Sequence, residues 1–84
     1  MYFVCTDSGR QPIAHATLEQ ALANLRGELR ARESQGFTVT FNDKLEFVLT
    51  RKDGSENPDG HPYRIWVEDQ DGQNVTSRDA AEAG

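Results

Sequence analysis

Phe37-Thr38-Val39-Thr40-Phe41 and Leu45-Glu46-Phe47-Val48-Leu49-Thr50 are the stretches that decide the fold. In the first, Phe37, Val39 and Phe41 alternate with Thr38 and Thr40. In the second, Leu45, Phe47 and Leu49 alternate with Glu46, Val48 and Thr50. A period of two is that of a strand with one buried face. The short link between them predicts a hairpin, and the pattern restricts its register. A two-residue Asn42-Asp43 turn pairs Phe41 with Lys44 and sets Leu45 beside Thr40, which mixes the faces. A three-residue loop, Asn42-Asp43-Lys44, pairs Phe41 with Leu45 and Val39 with Phe47, and keeps all six apolar side chains on one side. The sequence predicts the odd loop.

Upstream the period changes. Leu18, Ala21, Leu22, Leu25 and Leu29 follow at i, i+3, i+4, i+7 and i+11, one apolar stripe on a helix. Thr17 and Gln20 have capping-box spacing at its start, and Gly36 is a natural stop. Glu28 and Arg32 are spaced for an i,i+4 ion pair. Gly27 lies opposite the stripe and lowers helix propensity for no evident gain. Before the helix, Tyr2 to Thr6 has the β-branched and aromatic bias of a short strand, and residues 7–12 form a turn cluster.

Downstream, residues 52–61 carry no buried-type side chain and read as a long exposed loop. Tyr63, Ile65 and Val67 then alternate with Arg64, Trp66 and Glu68, which is a third clear strand. Residues 69–72 form a turn and residues 74–76 a short return strand. Residues 77–84, small and polar, are expected to fray. The order β-α-β-β-β predicts a single α+β domain over residues 1–84, with an antiparallel sheet of four to five strands and one helix packed on one face. Its inner layer joins the leucine stripe to Phe37, Val39, Phe41, Leu45, Phe47, Leu49, Tyr63, Ile65 and Val67. The outer face carries Thr38, Thr40, Glu46, Val48, Thr50, Arg64, Trp66 and Glu68, and the chain holds no further apolar segment to cover it.

Composition narrows the function. The chain has 84 residues, 36 % hydrophobic and 27 % charged, which suits one small globular domain and excludes a two-domain enzyme or a full dinucleotide fold. No apolar run approaches the roughly 20 residues of a membrane span, and no signal peptide is expected from the first residues. Fourteen acids against nine bases give a net charge of −5. Residues 1–52 hold six acids and seven bases, whereas residues 53–84 hold eight acids and two bases, so the second half carries the imbalance. Such a balance repels phosphate and makes direct nucleic-acid binding unfavourable, while it raises the encounter rate with a basic partner. The single cysteine, Cys5, lies in an apolar run and is expected as a small buried hydrophobe in a reducing cytoplasm.

The inventory for catalysis is thin. His15 and His61 stand alone, no serine lies in a nucleophile elbow, and Cys5 with His15 has no supporting spacing. Asp69-Gln70-Asp71-Gly72 resembles the opening of a calcium loop but lacks the later ligands. Neither a metal site nor a cofactor site is expected. The feature that stands out is Trp66 on the outer face beside Arg64, Glu68 and Val48, near Asp69 and Asp71. Trp and Arg are the residue types that dominate binding hot spots. The expectation is a non-enzymatic, cytoplasmic protein-binding module. It would modulate or inhibit a larger partner with a basic surface, such as a nucleic-acid-binding machine, through its open sheet face and acidic half. Two alternatives stand beside it. One is a nucleic-acid-binding accessory protein using Arg26, Arg30 and Arg32. The other is a homodimer with a site at its interface.

Overall fold

A computed structural model describes residues 1–51 and 63–78. The expected α+β architecture is present. Strands β1 (Tyr2–Thr6), β2 (Gly9–Arg10), β3 (Phe37–Phe41), β4 (Phe47–Arg51) and β5 (Tyr63–Asp69) form one antiparallel sheet in the order β2-β1-β5-β4-β3. Helix α1 (Leu18–Ser34) lies between β2 and β3 in the chain and covers one face.

The helix begins and ends for the reasons its sequence states. Thr17 Oγ1 accepts a hydrogen bond from the Gln20 N–H at 3.1 Å. Gln20 Oε1 reaches back, to the Ala16 N–H at 3.2 Å rather than to that of Thr17. At the far end Gly36 takes φ +96°, and its N–H donates to the Glu33 carbonyl at 3.1 Å. Ala21, Leu25 and Leu29 are buried against Val4, Phe47, Leu49, Ile65 and Val67, with Leu18 and Leu22 packed at the margin. The Glu28–Arg32 pair does not form. The Arg32 guanidinium lies 5.0 Å from the Tyr63 ring centre and donates to Gln35 Oε1 instead, a contact that combines charge with apolar cover.

The hairpin register differs from the expected one. Phe41 pairs with Phe47, Val39 with Leu49 and Phe37 with Arg51, so the loop has five residues, 42–46, and not three. Both lengths keep the apolar residues on one side, because alternation fixes only whether the loop is odd. The choice lies with Asn42. Its Oδ1 accepts from the N–H groups of Lys44 and Glu46 at 3.0 and 2.9 Å, and its N–H donates to the Glu46 carbonyl at 3.0 Å. Leu45 is consequently not a core residue. It is 42 % exposed with φ +62°, in the left-handed region that favours glycine and asparagine.

Two further elements refine the expected outline. The turn cluster after β1 contains the short return strand β2. Residues 74–76 make one bridge, Glu68 to Asn74, where a return strand is expected. They occupy the side of β5 that β4 leaves free beyond Ile65: the Val67 N–H donates to Thr76 Oγ1 at 2.7 Å and the Val75 N–H to the Val67 carbonyl. Asn74 Nδ2 ties this segment to the hairpin loop through the carbonyls of Lys44 and Leu45. The loop expected at 52–61 lies outside the described residues, as does most of the expected 77–84 tail.

Three substitutions test this packing. Leu25→Ala should cost about 3 kcal/mol in urea unfolding, the usual result of emptying a fully buried leucine site. Leu45→Asn should raise stability, by about 0.5–1 kcal/mol, by relieving the left-handed backbone; a loss as large as that of Leu25→Ala would restore Leu45 to the core. Gly27→Ala should add about 0.8 kcal/mol, since a Cβ there meets nothing within 4 Å.

Candidate functional site

Register places four of the six expected site residues on the sheet face opposite α1. Trp66 pairs with Cys5 and Glu68 with Phe3, while Arg64 pairs with Val48. Their side chains share the outer face with Thr38, Thr40 and Thr50, all exposed.

One end of this face is a closed network across β2, β1 and β5. Trp66 Nε1 donates to Glu68 Oε2 at 2.8 Å, and Arg10 Nη2 donates to Glu68 Oε1 at 3.2 Å. The Arg10 guanidinium also stacks on the Phe3 ring, 4.3 Å from its centre. Both oxygens of Glu68 are thereby engaged and the indole is held along the strand. The Trp66 hydrogen bond foremost, then Arg10, holds the Glu68 carboxyl below the usual glutamate range against the opposing effect of burial. Cys5 sits between Arg10 and Trp66 in the ladder and is 3 % exposed, although it points to the solvent side of the sheet. Burial, with the Glu68 charge adding, pushes its thiol up, so it is a weak nucleophile. The sequence predicts its burial but not its place on the outer face, between Arg10 and Trp66.

At the other end the arrangement is looser. Arg64 Nη1 is 3.8 Å from Glu46 Oε1, which also accepts from Asn42 Nδ2 at 3.0 Å. Val48 lies half-buried between Arg64 and Thr40. The remaining two expected residues are placed apart from this face. Asp69 pairs with Tyr2 on the inner parity, and its Oδ1 accepts from the N–H groups of Asp71 and Gln73 at 2.9 and 3.0 Å. That carboxylate shapes the turn after β5, and Asp71 stands exposed on it.

Phe3 and Arg10 belong to the network and were missed from sequence. Apolar residues occupy both parities of Tyr2-Phe3-Val4-Cys5, so alternation does not say which ones face outward, and Arg10 lies in a segment that reads as a turn. Among the described residues no group of three or more His, Cys, Asp or Glu side chains is placed to hold a metal ion. His15 Nε2 meets Asn24 Nδ2, on the second turn of α1, at 3.1 Å; His61 lies outside the described residues. Arg26, Arg30 and Arg32 project from α1, on the other side of the sheet from Trp66. No family model, curated protein or solved structure matches this chain.

The network makes two predictions. A folded-state value below the ordinary one means that Glu68 stabilises the fold fully above the unfolded glutamate pKa of about 4.3, and that this contribution is lost as pH falls through the lower, folded value. Glu68→Gln should therefore cost on the order of 1 kcal/mol at pH 7 and progressively less as pH falls below about 4, read from urea midpoints. An equal loss across this range would show that the charge is immaterial. Cys5 should react with iodoacetamide at least about tenfold more slowly in the native protein than in urea, as burial and a raised thiol pKa require.

Proposed function

We propose that this protein is a small non-enzymatic binding module. It docks on a larger protein with a basic surface, which it modulates or inhibits, through the outer sheet face centred on Trp66. The observation that carries this reading is the Phe3–Arg10–Glu68–Trp66 network, ordered on a face that α1 does not cover. Trp, Arg and Phe ordered before contact lose little entropy on binding, which is how a small surface acquires affinity. Arg64 and Val48 extend the face, and Thr38, Thr40 and Thr50 complete it with short exposed side chains.

Charge supports the choice of partner. The acids outnumber the bases by five, and Asp71 with Asp69 sits on the turn that ends the strand bearing Trp66. A basic surface is drawn to that end of the molecule by long-range attraction, while the neutralised Arg10–Glu68 and Arg64–Glu46 pairs form the contact itself. A reducing cytoplasm suits the single, unpaired Cys5. Among the described residues no helix is long and apolar enough to cross a membrane.

Trp66→Ala is the deciding substitution. Once a co-purifying protein has been identified with tagged full-length chain, its affinity for the variant should fall more than about tenfold at a temperature where the variant is still fully folded, while loss of the bond to Glu68 lowers the unfolding temperature by about 4–8 °C. Added salt should slow association with little change in dissociation. Undiminished binding by Trp66→Ala, or a loss of stability that accounts for the loss of binding, would remove this face as the docking surface.

A further inference from the structure

The two edges of the sheet differ in how they end. On one side the free edge of β1 is closed along its length. β2 pairs with Cys5 and Thr6, the Gln11 N–H donates to the Val4 carbonyl at 2.9 Å, and Tyr2 and His15 exchange two backbone hydrogen bonds of 2.8 Å. On the other side β3 is the last strand, and among the described residues no segment is hydrogen-bonded along its outer edge.

Register determines which groups this leaves bare. The Asn42 N–H donates to the Glu46 carbonyl, so residues 42 and 46 are a hydrogen-bonded pair of the hairpin ladder. The register runs without a bulge, which makes Thr40–Val48 and Thr38–Thr50 the next such pairs. The N–H and C=O groups of Phe37, Val39 and Phe41 therefore point away from β4, out of the sheet. An edge of this kind is normally guarded by a charge, a proline or a bulge. β3 has none of them.

The strand also reads the same in both directions: Phe-Thr-Val-Thr-Phe. A second β3 laid antiparallel about a two-fold axis at Val39 sets Val39 against Val39 of the partner subunit, Phe37 against Phe41 of the partner subunit, and Thr38 against Thr40 of the partner subunit. The bare backbone groups belong to the odd-numbered residues, which are centred on the same Val39, so the axis that matches the side chains also matches donors to acceptors. The faces agree as well, since Phe37, Val39 and Phe41 lie on the inner face in both copies. We propose that two copies of this chain pair through β3 about a two-fold axis at Val39, joining their sheets into one continuous sheet with both helices on the same side. The second copy does not cover the outer face or its tryptophan, so this pairing stands independently of the docking role proposed above.

Both copies carry the same net charge, and the pairing brings Arg51, over Phe37, towards Arg78 of the partner subunit, over Phe41. Added salt should strengthen the dimer, opposite in sign to its effect on binding a basic partner. Sedimentation equilibrium on the full chain, between about 10 μM and 1 mM, should show a monomer–dimer equilibrium in this range, as a small interface of this kind gives. Amide exchange of Phe37, Val39 and Phe41 should slow as concentration rises.

Thr38→Lys with Thr40→Lys sets lysine against lysine across the axis at two exposed positions that pack in no core, and should weaken the dimer by about tenfold or more. Thr38→Glu with Thr40→Glu should do the same, and mixing the two variants should restore a dimer made of one of each. That rescue excludes misfolding as the cause. A chain that stays monomeric at 1 mM overturns the proposal. So does a dimer indifferent to the lysine pair, which would place the interface on the Trp66 face or elsewhere.

Discussion

One helix covers one face of a five-stranded sheet, and that shortage of cover governs the rest of the molecule. The apolar material goes where α1 can reach it, in the layer of Val4, Leu25, Leu29, Phe47, Leu49, Ile65 and Val67. Among the described residues no second layer covers the opposite face. Side chains bonded to one another across and along the strands occupy it. Arg10 covers Phe3, the Trp66 indole is tied to Glu68, and the cysteine between them is sealed from solvent on a face where exposure would be expected. Arginine and tryptophan suit this use because each has an apolar body and a polar tip that can be bonded sideways.

The same economy appears in the connections. With little buried area to hold its loops, the chain fixes them by short amide and carboxylate side chains that bond neighbouring backbone. Asn42 sets the hairpin loop, Asp69 the turn after β5, and Asn74 joins the two, since its amide holds the Lys44 and Leu45 carbonyls while its Oδ1 accepts from the Thr76 N–H. The Asn42 and Asp69 bonds are local, with small ordering cost, whereas Asn74 reaches a loop 29 and 30 residues away in the chain. Together they place residues 74–76 where β4 has stopped, so β5 is flanked on both sides along most of its length.

Which of this was legible follows from what periodicity encodes. Apolar spacing states which side chains share a face, and it located α1, its Thr17 cap, β1, β3 and β5, together with the outer placement of Trp66, Arg64, Glu68 and Val48. It states parity and not length, so three-residue and five-residue hairpin loops read alike, and Leu45 reads as a core residue. It is silent where both parities are apolar, as in β1, and that hid Phe3. It is silent too where a strand is only two residues long, as in β2, and that hid Arg10. Nearness in sequence groups Asp69 and Asp71 with Trp66, but a strand end reverses that nearness: Asp69 turns to the other parity and its oxygen serves the turn. At the loops the missing information lies in side-chain bonds to backbone, which no spacing rule carries.

The edge at β3 follows from the same parity. In an antiparallel strand the residues whose side chains face the core are also the ones whose backbone groups face together to one side, here outward. Phe37, Val39 and Phe41 thus serve the core with their side chains and the open edge with their amides, while Thr38 and Thr40 serve neither. A lysine or glutamate at either threonine would have guarded the edge at no cost to packing, since both positions are exposed. Short, uncharged, β-branched residues stand there instead, on a strand symmetric about its own centre. The sheet's other edge is closed by β2, Gln11 and His15, with backbone bonds at each step. A fold that seals one edge so fully and, among the described residues, leaves the other unpaired and self-matching has two different ends. The second has the chemistry of an interface between like strands.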